Sequence, residues 1–264
     1  MALIVRLTPN QISRQVGQNI PLCFADTSAH EQQQLCRDSI RHTCYAATEL
    51  AAVWCWPVER VLRLITSTEI CPEFENSDKA RIVLAPHLGC WEILAQWLGK
   101  HHQAIFLYRR RKNRSVDEFV MSARARTGGE PVPTKKSGLR KLLVGMREKR
   151  CLMILPDQRP GGNKAFIEST FFGHNAPTTT VVHNLCRKME CDVFIATMYR
   201  SDPVGEFGLR IEPLEYERLA GEEHASALYM NDSIEQLVRQ YPEQYQWGYR
   251  RFKSTAYQSL SGKT

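Results

Sequence analysis

The chain has 264 residues, 43% of them hydrophobic and 24% charged, with a formal net charge of +7. These proportions fit a folded protein with a sizeable core and exclude a disordered or fibrous one. No run of about 18 consecutive apolar residues occurs, so no spanning helix is expected, and "MALIVRL" is too short for a signal peptide.

Residues 9–65 read as helical. "SAHEQQQLCRDSIRHTCYAATELAAVWCW" has long polar–apolar periodicity and opens on Ser28 and Glu31, a capping-box pattern. Within it, "ELAAVWCWPVERVLRLI" places Trp54 and Trp56 before Pro57 with basic residues after. That suits either a lipid headgroup surface or a core helix pair broken by the proline. From residue 81 strands and helices alternate. "RIVLAP" predicts a strand, 88–99 a helix, "AIFLYR" (104–109) a strand, "SVDEFVMSARART" a helix and 137–150 an amphipathic helix. A strand at 151–157, a helix at 178–190, strands at 191–200 and 207–214 and a helix over roughly 223–240 complete the pattern. The expected architecture is one α/β domain over residues 1–264, a central sheet flanked by helices. Its helical N-terminal region spans about 9–65 and its catalytic core about 80–254.

The nine cysteines include no CxxC spacing and read as reduced, mostly buried thiols. The nearest approach to a ligand cluster, His183, Cys186 and Cys191, lacks a fourth ligand, and no metal is expected. The positive charge is local. Arg109, Arg110, Arg111, Lys112 and Arg114 form one group, and Lys135, Lys136, Arg140 and Lys141 a second. Such groups suit phosphorylated lipid, an anionic membrane, an acidic carrier protein or a solvated face. Nucleic acid is disfavoured, because no aromatics interleave the basic residues and no binding module is evident.

Sites in α/β sheets sit where strands end and helices begin, and both His87 and Asp157 lie just past a predicted strand. His87 precedes a helix that carries Glu92 in its first turn. A carboxylate beside an imidazole fixes its tautomer and stabilises the imidazolium that forms on proton uptake. That is a general base able to deprotonate a hydroxyl for attack on a carbonyl. A buried glutamate is costly unless paired, and His87 is the expected partner. No GxSxG elbow occurs, which favours direct transfer over a covalent acyl-enzyme.

"HLGCWE" (87–92) resembles the H-[LF]-G-N-W-E signature of the lipid A biosynthesis acyltransferases, departing from it at Cys90. "YRR" (108–110), "ARARTGG" (123–129), "GLRKLLVGMREKRCLMILPDQRPGG" (138–162), "FIESTFFGHNAPTTT" (166–180) and "YPEQYQWGYRRFKS" (241–254) resemble further motifs of that family in order. The resemblance covers nearly the whole chain. It implies a glycerolipid-acyltransferase-like fold with a mixed sheet, and transfer of a fatty acyl chain from an acyl carrier protein thioester to a hydroxyl of a lipid A precursor or related glycolipid, without a cofactor. It also implies a peripheral place on the cytoplasmic face of the inner membrane. On this reading His87 is the base and Glu92 its orienting acid. Arg124 or Arg126, or backbone N–H groups at the helix start, stabilise the oxyanion. Asp157, followed by Gln158, either holds Arg124, contacts acceptor hydroxyls or caps its own turn. Arg109, Arg110 and Arg111 receive the carrier or lipid phosphates. Trp91, Phe171 and Phe172 wall the acyl pocket, with aromatic core packing as the alternative for the two phenylalanines.

Overall fold

The computed structural model describes residues 10–108, 110, 113–161, 166–201 and 205–261. Two N-terminal helices come first, α1 (Gln11–Cys23) and the long α2 (Ala29–Cys55), followed by the short α3 (Val58–Leu62). The Ser28–Glu31 capping box forms as expected: the Ser28 side chain accepts from the Glu31 backbone, and the Glu31 carboxylate accepts from Ser28 N–H at 2.8 Å. Helix α2 ends at Cys55 because Pro57 cannot continue it.

The core then alternates: β1 (Ile65–Ile70), α4 (Pro72–Asn76), β2 (Ala80–Leu84), α5 (Trp91–His102), β3 (Ile105–Tyr108), α6 (Arg114–Ala125), β4 (Glu130–Pro133), α7 (Lys136–Arg147) and β5 (Cys151–Ile154). A hairpin of β6 (Phe166–Phe171) and β7 (His174–Thr179) follows. Then come α8 (Val181–Cys186), β8 (Cys191–Arg200), β9 (Phe207–Leu214), α9 (Tyr216–Ala220), α10 (Glu223–Gln240) and α11 (Ser254–Ser261). Among the described residues the main sheet runs β1-β9-β8-β2-β5-β3-β4, with every neighbouring pair parallel except β8 and β9. It is the expected mixed sheet. Its central strands β2, apart from Arg81, and β5 are apolar runs because helices cover both faces. Alternation along β2 sends Ile82 and Leu84 into a core with α10, and Val83 and Ala85 into a second core with α5.

Five strands fall where the sequence places them. The sheet's outermost strands β1 and β4, and the hairpin, were not expected. "ITSTEI" is half-exposed to exposed throughout, and "EPVP" carries two prolines, so neither shows a strand's apolar rhythm. The hairpin turns on Phe172 and Gly173, both at positive φ, the geometry of a two-residue primed turn. Because β7 occupies residues to Thr179, α8 starts at Val181 rather than 178.

Candidate active site

Strands β2 and β5 lie side by side and parallel, with Leu84 opposite Ile154. Each continues through an apolar residue and a proline to a polar one: Ala85-Pro86-His87 beyond β2, Leu155-Pro156-Asp157 beyond β5. Equal steps from paired positions bring the two polar side chains together at the carboxyl edge of the sheet. Nδ1 of His87 lies 2.8 Å from Oδ1 of Asp157, and the His87 backbone N–H donates to Oδ2 at 2.9 Å. Asp157 is buried. Burial pushes its carboxyl up, but the charge of His87 and its hydrogen bonds outweigh that and hold it below the ordinary carboxylate range. Its contribution to stability is therefore complete above the ordinary carboxylate pKa, and is lost as pH falls through the lower folded value. An ionised Asp157 accepts the Nδ1 proton, which leaves the imidazole lone pair at Nε2.

The loop after His87 is fixed by backbone. Leu88 N–H donates to Pro86 O at 2.7 Å, Gly89 N–H to Gln244 O at 3.1 Å and Cys90 N–H to Met198 O at 2.8 Å. Gly89 has φ +63°, and a Cβ there would stand 2.0 Å from the Met198 carbonyl oxygen, so only glycine fits. Helix α5 consequently begins at Trp91 instead of Leu88, and Glu92 sits in its first turn. The carbonyl of Gly89 also accepts from buried Arg200 at 3.1 Å, while two bonds of 2.6 Å tie Arg200 to Glu49. These anchors went unnoticed in the sequence, because Glu49 and Arg200 are 151 positions apart.

Glu92 does not brace the imidazole. Its carboxylate accepts from Arg124 at both oxygens, with Nε at 3.0 Å, and from the Trp54 indole N–H at 3.3 Å. The expectation that Asp157 holds Arg124 is likewise corrected: the two acids exchange roles, Asp157 taking His87 and Glu92 taking Arg124. The exchange follows from direction. Glu92 lies on a helix turning toward α6, whereas Asp157 shares the strand edge with His87. Removing one partner of a buried ion pair typically costs about 3–5 kcal/mol. Arg124→Ala should therefore lower unfolding stability by about 3 kcal/mol, read from the urea midpoint. A change below about 0.5 kcal/mol would show that the pair contributes nothing to the fold.

Arg126, expected at the substrate, instead donates to the Val53 carbonyl and to Gln96 Oε1 at 3.3 Å, tying α6 to α2 and α5. Phe171 and Phe172 are core rather than pocket wall. Both are buried among Phe24, Tyr245, Trp247 and Phe252, with centroid separations of 4.8–6.3 Å within the group. Arg109 and Arg111 lie outside the described residues, and Arg110 is exposed. Cys90, at the start of α5, makes no side-chain cap. Burial first, then the charge of Glu49, pushes its thiol up to about 12, so it stays protonated and is no thiolate nucleophile.

Two cavities meet at His87. The larger, about 650 Å³, is walled mainly by apolar side chains such as Ala95, Phe106, Leu143 and Met153; Arg124 and Gln158 also line it, together with Lys135, Arg159 and Lys188. The smaller, about 290 Å³, lies between α2 and the 244–246 segment. His87, Trp91 and Glu92 line both, and the Trp91 ring packs edge-on to the imidazole at 4.9 Å between centroids. The arrangement offers a base at the junction of two binding spaces.

A family model described as "Bacterial lipid A biosynthesis acyltransferase" matches residues 2–254. The lipid A biosynthesis palmitoleoyltransferase of Escherichia coli K12 is 26% identical over 238 residues, 89% of this chain and 77% of that one. The lauroyltransferase of the same organism is 24% identical over 242 residues, 90% of this chain and 78% of that one. The 1-acyl-sn-glycerophosphate acyltransferase PlsC of Thermotoga maritima superimposes with a TM-score of 0.44 at 12% identity, covering 92% of this chain and 98% of that one. With the family's pattern extending along almost its entire length, the chain belongs to the bacterial lipid A biosynthesis acyltransferases and is an acyltransferase.

Proposed function

We propose that the protein transfers a fatty acyl chain from an acyl carrier protein thioester to a hydroxyl of a lipid A precursor, working peripherally at the cytoplasmic face of the inner membrane. The observation that carries this reading is the His87–Asp157 pair placed where a mainly apolar cavity, bearing Lys135, Arg159 and Lys188, meets a second space. Nε2 of His87 takes the hydroxyl proton as the oxygen attacks the thioester carbon. Asp157 stabilises the imidazolium. The C–S bond then breaks, and the departing thiolate receives that proton, leaving an ester and a free thiol.

The oxyanion formed on the way needs donors. Helix α5 begins directly after the His87 loop and offers its first-turn N–H groups and dipole. Arg124, locked by Glu92, lines the same cavity as His87. The cations beside the large cavity suit the phosphates of the acceptor, and the basic sequence of the 109–114 run suits an acidic carrier or an anionic membrane. Among the described residues no helix is long and apolar enough to cross a membrane.

The test incubates purified protein with an acyl carrier thioester and a lipid A precursor and follows both by mass spectrometry. The expected product is the precursor heavier by one acyl group. Release of free fatty acid with unmodified lipid would make the protein a thioesterase and overturn the proposal.

A further inference from the structure

A transferase with one base and two binding spaces must divide its substrates between them, and the two spaces differ in chemistry. The large cavity carries Lys135, Arg159 and Lys188, so anionic headgroups and apolar chains both find partners there. The small one holds none of those cations. Its wall on α2 is made by His42, Thr43, Ala46, Ala47 and Leu50, residues that recur one turn apart and so form one face of the helix. Opposite them stand the His87 loop and Gln246.

Apart from Glu92, whose carboxylate is taken up by Arg124, its polar groups are neutral side chains and backbone amides. His42 is held as the uncharged imidazole, its pKa pushed down to about 4 by burial first and then by Arg200, and its buried Nδ1 has no hydrogen-bond partner. A neutral imidazole can donate at one nitrogen and accept at the other. Gln246 anchors the partition between the spaces: its N–H donates to the His87 carbonyl at 2.9 Å, and its side-chain oxygen accepts from Gln158 at 3.0 Å. Gln158 faces the large cavity and Gln246 the small one. The space is small, about 290 Å³, and the short side chains of Ala46 and Ala47 leave it open along α2.

We propose that the small cavity seats the thiol-bearing arm of the donor, a pantetheine-type chain of linked amides, with the thioester at His87 and the acyl chain laid into the large cavity. A slim, uncharged chain with alternating N–H and C=O groups matches the neutral polar lining, whereas a phosphorylated glycolipid matches the cationic one. The carrier then docks on the α2 side of the molecule, and the acceptor approaches through the large cavity. This rests on the acyl transfer proposed above.

The test compares two donors bearing the same acyl chain, the carrier thioester and its N-acetylcysteamine thioester, whose arm is cut short. The wild type should prefer the carrier donor in kcat/KM. Ala46→Trp and Ala47→Trp, each placing an indole in the small cavity, should raise the carrier-donor KM about tenfold or more and collapse that preference. Each variant is read separately, so one that fails to fold by circular dichroism leaves the other to decide. Free pantetheine added to the wild type should compete with the carrier donor and not with the acceptor. A rise in acceptor KM with donor preference intact, no change in either, or competition against the acceptor would overturn the placement of the arm. Transfer from neither donor by the wild type would instead overturn the acyl-transfer reading itself.

Discussion

His87→Ala should lower acyl transfer by about 10²–10⁴-fold, the usual contribution of a positioned general base. The loss should fall on kcat, because the ring acts on the proton in the transition state rather than on substrate binding. Alanine also strips buried Asp157 of its imidazole partner, leaving the His87 backbone N–H at 2.9 Å and the Tyr245 hydroxyl. Some destabilisation therefore accompanies the catalytic loss, and His87→Asn separates the two. Its side-chain amide can still donate to Asp157 but cannot serve as a base. The asparagine variant should be nearly as stable as the wild type by thermal melt and as inactive as alanine. Either variant retaining more than about a tenth of the wild-type kcat would exclude the imidazole as base.

The fold was legible where strands are buried on both faces. "RIVLAP", "CLMILPD" and "CDVFIATMYR" are apolar runs bounded by turns, and they became β2, β5 and β8, the centre of the sheet. The edges were not legible, because β1 and β4 face solvent or carry proline and so lack the burial pattern that marks a strand. At the site, the expected partner of His87 was Glu92, whereas Asp157 is the acid that stands against the imidazole. Glu92 is near His87 in sequence, and local spacing favoured it. Asp157 is 70 positions away and becomes a neighbour only through the register of β2 on β5.

A signal for that pairing did exist. "LAPH" and "ILPD" both run from an apolar pair through proline to a polar residue, and in parallel neighbours such a repeat ends at one edge. Phe171 and Phe172 illustrate the opposite case. Adjacent residues in a regular strand point to opposite faces, but the turn puts Phe172 at positive φ and folds both rings into one aromatic cluster. Dihedrals of that kind are not written in composition. Arg200 and Glu49, which hold the Gly89 carbonyl from beneath, were likewise hidden by their separation along the chain.

Asp157→Asn should cost nearly as much as losing the imidazole, with a drop in kcat that approaches the ~10⁴-fold seen when the acid of a serine-hydrolase triad is made an amide. The reason is tautomeric. A carboxylate only accepts, so it fixes the proton on Nδ1 and the lone pair at Nε2, where a hydroxyl can meet it. An amide at 157 can turn its NH₂ toward Nδ1, which then accepts and leaves the proton at Nε2. The ring would be well placed and unable to take a proton. Glu92→Gln is the control with the opposite expectation. Its remaining carbonyl oxygen can still accept from Arg124, so turnover should fall by less than about tenfold while the urea midpoint drops from the lost ion pair. If Glu92→Gln were the slower of the two enzymes, then Glu92 and not Asp157 would be the acid acting on the base. The 2.8 Å contact between Asp157 and His87 would then be only a fastening between two strand ends.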